Sequence, residues 1–271
     1  MEWEKVMTTE GYKISGFVIT YNEEDNIGDC LDTLNWVDEL VVVDSGSEDG
    51  TVEIARRRAD RVVHHEFLGY TAQTRFALAE TSHPWVIWLD ADERLTPEAR
   101  TEIEGFLAGS RAEEYAGIRF PRKTRFLGRW VTHSGWYPKR KLRFFHRDRG
   151  ELTGEEPSVR FEPSGSVREG TGDILHYSYP GGMADMLDRQ NAFTGRAARA
   201  RYRKGRRMSW MKLLLEPPFE ILKKYFLQLG FLDGVAGLAI AGGTAYYKFV
   251  REIKLWELQT GLTDGEDSLE G

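Results

Sequence analysis

A chain of 271 residues suffices for one sizeable domain with an appendage, and a hydrophobic content of 41% can build its core, which excludes a disordered chain. The formal net charge of -6 argues against a general nucleic-acid binder. Cys30 is the only cysteine, so no intrachain disulfide and no cysteine-based zinc cage can form.

The stretch Met1 to Lys13 is polar and lacks the apolar core of a secretory signal, so a cytoplasmic location is the default expectation. Ile14 to Thr20 reads as a buried strand, with a polar break at Tyr21, Asn22, Glu23 and Glu24. Helices are expected over Glu24–Leu34, Thr51–Arg58, Tyr70–Glu80 and Pro97–Leu107. Strands are expected between them, over Leu40–Asp44, Arg61–Phe67 and Trp85–Leu89. Apolar strands alternating with helices imply a mostly parallel sheet covered on both faces. Ligands of such sheets collect beyond the carboxyl ends of the strands, where the polar breaks after Thr20, Val43 and Leu89 all fall.

After Ala116 the pattern changes. Gly117–Phe120 and Leu142–His146 look like shorter strands, Gly150–Gly172 is polar and irregular, and Asp173–Tyr179 reads as a closing strand. The expected layout is therefore a catalytic α/β domain over residues 12–180, a helical region over 181–260 and a short acidic tail over 261–271. No uninterrupted apolar stretch reaches the length of a spanning helix. Arg189 to Lys212 carries nine basic residues and no acidic one, and Phe219, Leu222, Phe226 and Leu229 follow at helical spacing.

Asp90-Ala91-Asp92 ends the apolar run Trp85–Leu89. Two carboxylates at the end of a buried strand are costly unless something positive sits there. A divalent cation shared with a phosphate-bearing ligand would meet that need. The bland alternative is an ordinary turn in which Asp92 caps the helix that begins near Pro97. Asp44 can accept from a base or a ribose hydroxyl, and the loop from Ser45 to Gly50 is flexible enough to approach a ligand; the alternative is that both aspartates satisfy turns or cap the Thr51 helix, a role that suits Asp49 as well as a ligand role does, whereas Asp44 is read as a ligand contact.

These motifs together, Thr20 to Glu24, Val43 to Thr51 and Leu89 to Glu93, resemble a family-2 glycosyltransferase of the GT-A fold, an α/β nucleotide-diphospho-sugar transferase fold. Gly135 to Pro138, Leu142 to Phe145 and Leu175 to Tyr179 resemble the bacterial branch that adds β-glucose to a heptose of the lipopolysaccharide core. The resemblance implies that Thr20, Tyr21, Asn22, Glu23, Asp44, Ser45, Gly46, Gln73, Arg75, Asp90, Ala91 and Asp92 surround a UDP-sugar donor. It further implies that Asp92 and Asp90, with His176 as a candidate, hold Mg²⁺ or Mn²⁺ at the diphosphate. A single histidine in a strand is more often a satisfied core residue, and that is the alternative for His176.

Relatives of this type invert the anomeric centre, which requires a carboxylate base near the sugar. Glu156, with Glu155 second, is the candidate; a solvated acidic loop is the alternative. Relatives commonly read Gln-Lys-Asn where this chain has Gln73-Thr74-Arg75, so Arg75 is expected to supply a cation near the diphosphate. Trp136 and Tyr137, with Trp130 and His133, could form an acceptor wall or loop core. The implied acceptor is a glycolipid or oligosaccharide. The basic run and apolar helices suit either attachment to the anionic inner face of the cytoplasmic membrane or self-association into a homo-oligomer. A non-catalytic nucleotide-sugar-binding module and a sugar-1-phosphate nucleotidyltransferase are the competing readings. The second lacks the glycine-rich phosphate loop expected after its first strand.

Overall fold

The computed structural model describes residues 11–109, 112–154 and 159–262. The chain forms two compact units. The first comprises the chain up to Lys123 together with Pro138–Tyr177, and the second comprises Thr124–Tyr137 and the chain from Ser178 onward.

The first unit is built on strands β1 (Ile14–Thr20), β2 (Glu39–Asp44), β3 (Arg61–His64) and β4 (Trp85–Asp90), which pair in parallel in the order β3-β2-β1-β4. Alternating side chains leave on opposite faces of a strand, so each strand feeds two cores. Ile14, Val18, Val42, Ile87 and Leu89 meet helices α1 (Glu24–Asp32), α2 (Thr51–Arg56) and α4 (Pro97–Ala108) through Ile27, Leu31, Ala55, Ile103 and Phe106. Phe17, Val41, Val43, Val86 and Trp88 face the other way, toward α3 (Tyr70–Ala79). The register aligns the carboxyl ends: Thr20 lies beside Asp44, Ile19 beside Asp90, and Asp44 beside His64.

The sheet continues through β5 (Glu93–Leu95), β6 (Tyr115–Phe126), β8 (Lys139–His146), β11 (Ser166–Glu169) and β12 (Ile174–His176). Strand β8 runs antiparallel to both β4 and β6, whereas β11 pairs in parallel with β6. Both β6 and β8 exceed their expected lengths, because their outer halves are charged and do not look like strand. The segment expected to be irregular contains a hairpin of β9 (Gly150–Thr153) and β10 (Arg160–Pro163), anchored by Phe161 stacking on Phe145 at 4.0 Å. The cap of α4 is Thr96, whose hydroxyl accepts from the Ala99 amide, so Asp92 is not needed as a cap.

The second unit contains β7 (Arg129–Trp130), which pairs with the end of β6, and helices α5 (Met183–Arg203), α6 (Trp210–Leu222) and α7 (Gly234–Thr260). Both α5 and α6 pack on α7. A buried ion network joins them: Arg251 reaches Glu216 at 2.9 Å and Glu252 at 3.0 Å, and Arg201 also pairs with Glu252. Helix α6 carries Pro217 and Pro218 and passes into one wider turn over Lys223–Leu227. The helical spacing through Leu229 therefore ends early: Leu229 is left-handed, with φ 55°. Close packing sets that break, since a Cβ on Gly237 would lie 1.8 Å from the Gly230 carbonyl oxygen. No single helix among the described residues is long and apolar enough to cross a membrane; only Trp210–Leu227 with Gly230–Thr260, bent by 74°, would pass by length and composition.

Candidate active site

The carboxyl end of β4 delivers Asp90, Ala91 and Asp92 into a set of charges drawn from distant parts of the first unit. Asp92 Oδ2 lies 3.3 Å from His176 Nε2 on β12. The Asp92 backbone carbonyl accepts from the Tyr177 amide at 2.9 Å, which locks β12 to the turn. Asp90 has a different partner, its Oδ2 accepting from Arg143 Nη2 at 2.5 Å. Arg143 also donates to the fully buried Glu93 at 2.8 Å, and Arg122 reaches Glu93 at 3.2 Å. The Arg143 guanidinium lies 4.5 Å from the Trp88 ring centroid.

Burial pushes the Glu93 carboxyl up, but Arg143, Arg122 and His176 outweigh it and hold it below the usual carboxylate range. Burial works against the Arg143 charge too, and Asp90 and Glu93 overcome it, raising its pKa further above the ordinary arginine value. Neither Glu93 nor Arg143 stands out as a site residue in the sequence alone. The available signal was a single charge beside the paired phenylalanines of Leu142-Arg143-Phe144-Phe145, the residue pattern of a buried ion.

A second cluster occupies the ends of β1 and β2. Asp44 is buried, and its carboxylate accepts from the Gly46 and Ser47 amides at 2.9 and 3.0 Å and from the Ser47 hydroxyl at 2.5 Å. Ser45 takes part in a relay: Gln73 Nε2 donates to its hydroxyl at 2.9 Å, and Gln73 Oε1 lies 2.7 Å from His65 Nδ1. The Ser45 amide donates to the Thr20 carbonyl, while the buried Thr20 hydroxyl has no hydrogen-bond partner among the described residues. Asn22, with φ 50°, interlocks with the loop through Ser47 and the Glu48 amide, and the Glu23 amide donates to Thr51 Oγ1. Tyr21 is exposed. Asp49 takes the turn-satisfying role: slight burial raises its pKa, but the Thr51 hydroxyl and amide and the Glu24 amide pull it below the ordinary value.

Arg75 turns away from these clusters, donating to the Leu152 carbonyl on β9 at 3.1 Å. Trp136 and Tyr137 belong to the second unit, where Trp136 stacks on Tyr179 at 5.7 Å and packs against Phe126. Glu155 and Glu156 lie outside the described residues. Among the described residues no three His, Cys, Asp or Glu side chains gather as a metal cage. The donor set that is present, one carboxylate facing one imidazole, fits Mg²⁺ or Mn²⁺ if phosphate oxygens complete the shell, which is how Mg²⁺ is commonly bound.

Residues 15–161 match the sequence model for Glycosyl transferase family 2. The chain is a family-2 glycosyltransferase. It is 31% identical, over 90% of its length and 92% of the relative's, to the lipopolysaccharide core biosynthesis glycosyltransferase LpsC of Rhizobium meliloti. An uncharacterized glycosyltransferase of Rickettsia typhi is 28% identical over 91% of this chain and 87% of its own. The solved glucosyl-3-phosphoglycerate synthase of Mycobacterium tuberculosis aligns at 28% identity and TM-score 0.36. That alignment covers 42% of this chain and 45% of the other, less than half of either. The open mixed sheet of the first unit, flanked by helices, is the GT-A arrangement of this glycosyltransferase, and the nucleotidyltransferase alternative falls with that assignment.

Proposed function

We propose that this glycosyltransferase moves a hexose, glucose in the first instance, from a UDP-sugar to a lipid-linked or lipopolysaccharide-core acceptor sugar, with inversion at the anomeric carbon. The observation that carries the reading is Asp92 facing His176 at the carboxyl edge of the sheet, beside an Asp90 that Arg143 holds in place. Asp92 and His176 would hold a divalent cation, and Asp90 would face the ribose or the cation. When bound, that cation offsets the charge that grows on the departing diphosphate. The chain's own part is to fix these donors before substrate arrives. Arg143 orients Asp90, the Tyr177 amide fixes the Asp92 backbone, and the Gln73 relay fixes Ser45. The loop at Asp44 and the partnerless Thr20 hydroxyl would meet the nucleoside. Removal of the acceptor proton falls to a carboxylate, with Glu156 the candidate and Glu155 second.

The name of the R. meliloti relative supports a core-oligosaccharide acceptor. The second unit supports a lipid-anchored one. On α6, Trp210, Met211, Leu214, Leu215 and Phe219 are exposed, and the basic run from Arg189 to Lys212 precedes and enters that helix. Basic residues close to an anionic leaflet contribute on the order of 1 kcal/mol each. The test is hydrolysis of UDP-glucose by the full-length protein in the presence of Mn²⁺. Activity should appear with the metal and vanish in Asp92→Ala; metal-independent turnover, or turnover unchanged in that variant, rejects the reading.

A further inference from the structure

One buried arginine braces the turn that carries Asp92 against α1. Arg94 stands on β5, two residues beyond Asp92. In the antiparallel register of β5 and β12 it lies opposite Leu175, which makes Tyr177 its diagonal neighbour, within reach of a long side chain. The guanidinium carbon lies 3.8 Å from the centroid of the Tyr177 ring. Arg94 Nη2 donates to Asp29 Oδ2 at 3.0 Å and to Asn26 Oδ1 at 3.4 Å, both on α1. Asn26 Nδ2 donates in turn to Glu23 Oε2 at 2.8 Å. The contacts therefore run from Glu23, in the polar break after β1, to Tyr177, which follows His176 directly and whose amide holds the Asp92 carbonyl. Helix α1 meets the same turn at the Cys30 thiol, which donates to the Asp90 carbonyl at 3.5 Å.

Stability alone does not account for an arginine at this position. Its Nε and Nη1 are buried and have no hydrogen-bond partner among the described residues, and buried donors left unpaired are destabilising. Asp29 is exposed, so its ion pair offsets little of that. A well-packed apolar side chain would fill the space without the penalty. What the guanidinium alone offers is a flat plate that covers an aromatic ring while its edge forms hydrogen bonds elsewhere. The plate fixes the Tyr177 ring, and the Tyr177 amide fixes the Asp92 backbone, so that the Asp92 carboxylate meets His176 at 3.3 Å. Groups that stand behind the ligands of a metal set their orientation and affinity in this way.

We propose that Arg94 is a positioning residue for the transfer reaction: stacked on Tyr177 and tied to α1, it holds Asp92 and His176 at the spacing that the cation of the donor needs. This role deepens the function proposed above and depends on those two side chains holding that cation.

The test compares the full-length wild type with Arg94→Met and Arg94→Lys. Two quantities are read: amide hydrogen exchange by NMR in the protein without ligand, and Mn²⁺ binding in the presence of UDP by calorimetry. In Arg94→Met the Tyr177 amide should exchange about tenfold faster and Mn²⁺ affinity should fall about tenfold, while the amides of β1 and β2 keep their protection. Arg94→Lys should behave like Arg94→Met, because an ammonium keeps the charge but cannot serve as the plate. Four results overturn the proposal. Mn²⁺ affinity could be unchanged in Arg94→Met, or could fall with no change in exchange at Tyr177. Exchange could rise across β1 and β2 as well, the mark of a general stabiliser. Lysine could restore Mn²⁺ affinity in full, the mark of a charge acting on the donor directly. Failure of the wild type to bind Mn²⁺ with UDP rejects the donor reading instead, and exchange at Tyr177 still decides whether Arg94 holds the turn.

Discussion

Replacing Arg143 with methionine tests whether the buried ion cluster organises the site. Methionine keeps much of the apolar stem and removes the guanidinium, leaving Glu93 buried with Arg122 at 3.2 Å and the Asp90 amide at 3.3 Å, and freeing the Asp90 carboxylate. Two unit charges about 4 Å apart attract by roughly 4 kcal/mol at an effective dielectric constant of about 20. Arg143 has two such partners, at 2.5 and 2.8 Å between heavy atoms. The cost of desolvating all three groups offsets much of this, and breaking one member out of a buried cluster typically costs about 3–5 kcal/mol. We expect a loss in that range for Arg143→Met, read from urea unfolding followed by far-ultraviolet circular dichroism at neutral pH. In the variant, Glu93 is held down less strongly and takes up a proton on folding, so the deficit should shrink as the pH falls toward the ordinary carboxylate range. Combining Arg143→Met with Glu93→Gln should recover part of the loss, since the stranded charge is gone. A loss below about 1 kcal/mol for the single variant would show that the cluster is not a coupled buried unit and would refute the reasoning.

Glu39 is partly buried, which raises its pKa, but hydrogen bonds from Ser15 and Ser82 and the charge of Arg61 carry it below the ordinary value. A depressed carboxylate contributes stability above its unfolded pKa and loses it as the pH falls through the folded one. Glu39→Gln should therefore cost about 2 kcal/mol at neutral pH and progressively less below about pH 4, as urea midpoints across that range would show. Cys30 is fully buried, and burial, then Glu93, pushes its thiol well up, so a thiol reagent should label it only on unfolding. A Cβ on Gly117 would sit 2.2 Å from the Phe144 carbonyl oxygen, so Gly117→Ala should destabilise the β6–β8 pairing by at least about 2 kcal/mol, measurable by thermal unfolding. Leu214→Asp with Leu215→Asp should abolish cosedimentation with anionic vesicles while leaving unfolding midpoints nearly unchanged, because both side chains are exposed.

The parallel half of the fold is legible where its strands are buried on both faces and read as unbroken apolar runs: β1 falls at the expected Ile14–Thr20, and β2 and β4 each gain one residue, whereas the half-exposed edge strand β3 ends at His64, three residues short of the expected Phe67. The antiparallel half was less so. Arg119, Arg122, Lys123 and Arg125 on β6, like Lys139 to Lys141 on β8, obscure the strand signal, because these strands leave the core where they reach the edge. Asp90 and Asp92 could be singled out because two carboxylates ending an apolar run are anomalous. Glu93 beside them carries no such mark, since its partner Arg143 is 50 residues away and no local pattern joins the two. The break after α6 was hidden for a similar reason. Phe219, Leu222, Phe226 and Leu229 keep helical spacing, yet the contact between Gly230 and Gly237 decides the turn.

If α6 rests on a membrane as proposed, its two consecutive prolines would limit how far that helix can sink into lipid. Each lacks an N–H, so the carbonyls of Leu213 and Leu214, four residues earlier, lose their regular donors. An acceptor without a donor costs several kcal/mol in hydrocarbon and little where water or lipid headgroups can serve it. On a bilayer, Pro217 and Pro218 would hold α6 level with the glycerol backbone, a float rather than an anchor. An enzyme moored that way could leave one patch of membrane for another between turnovers.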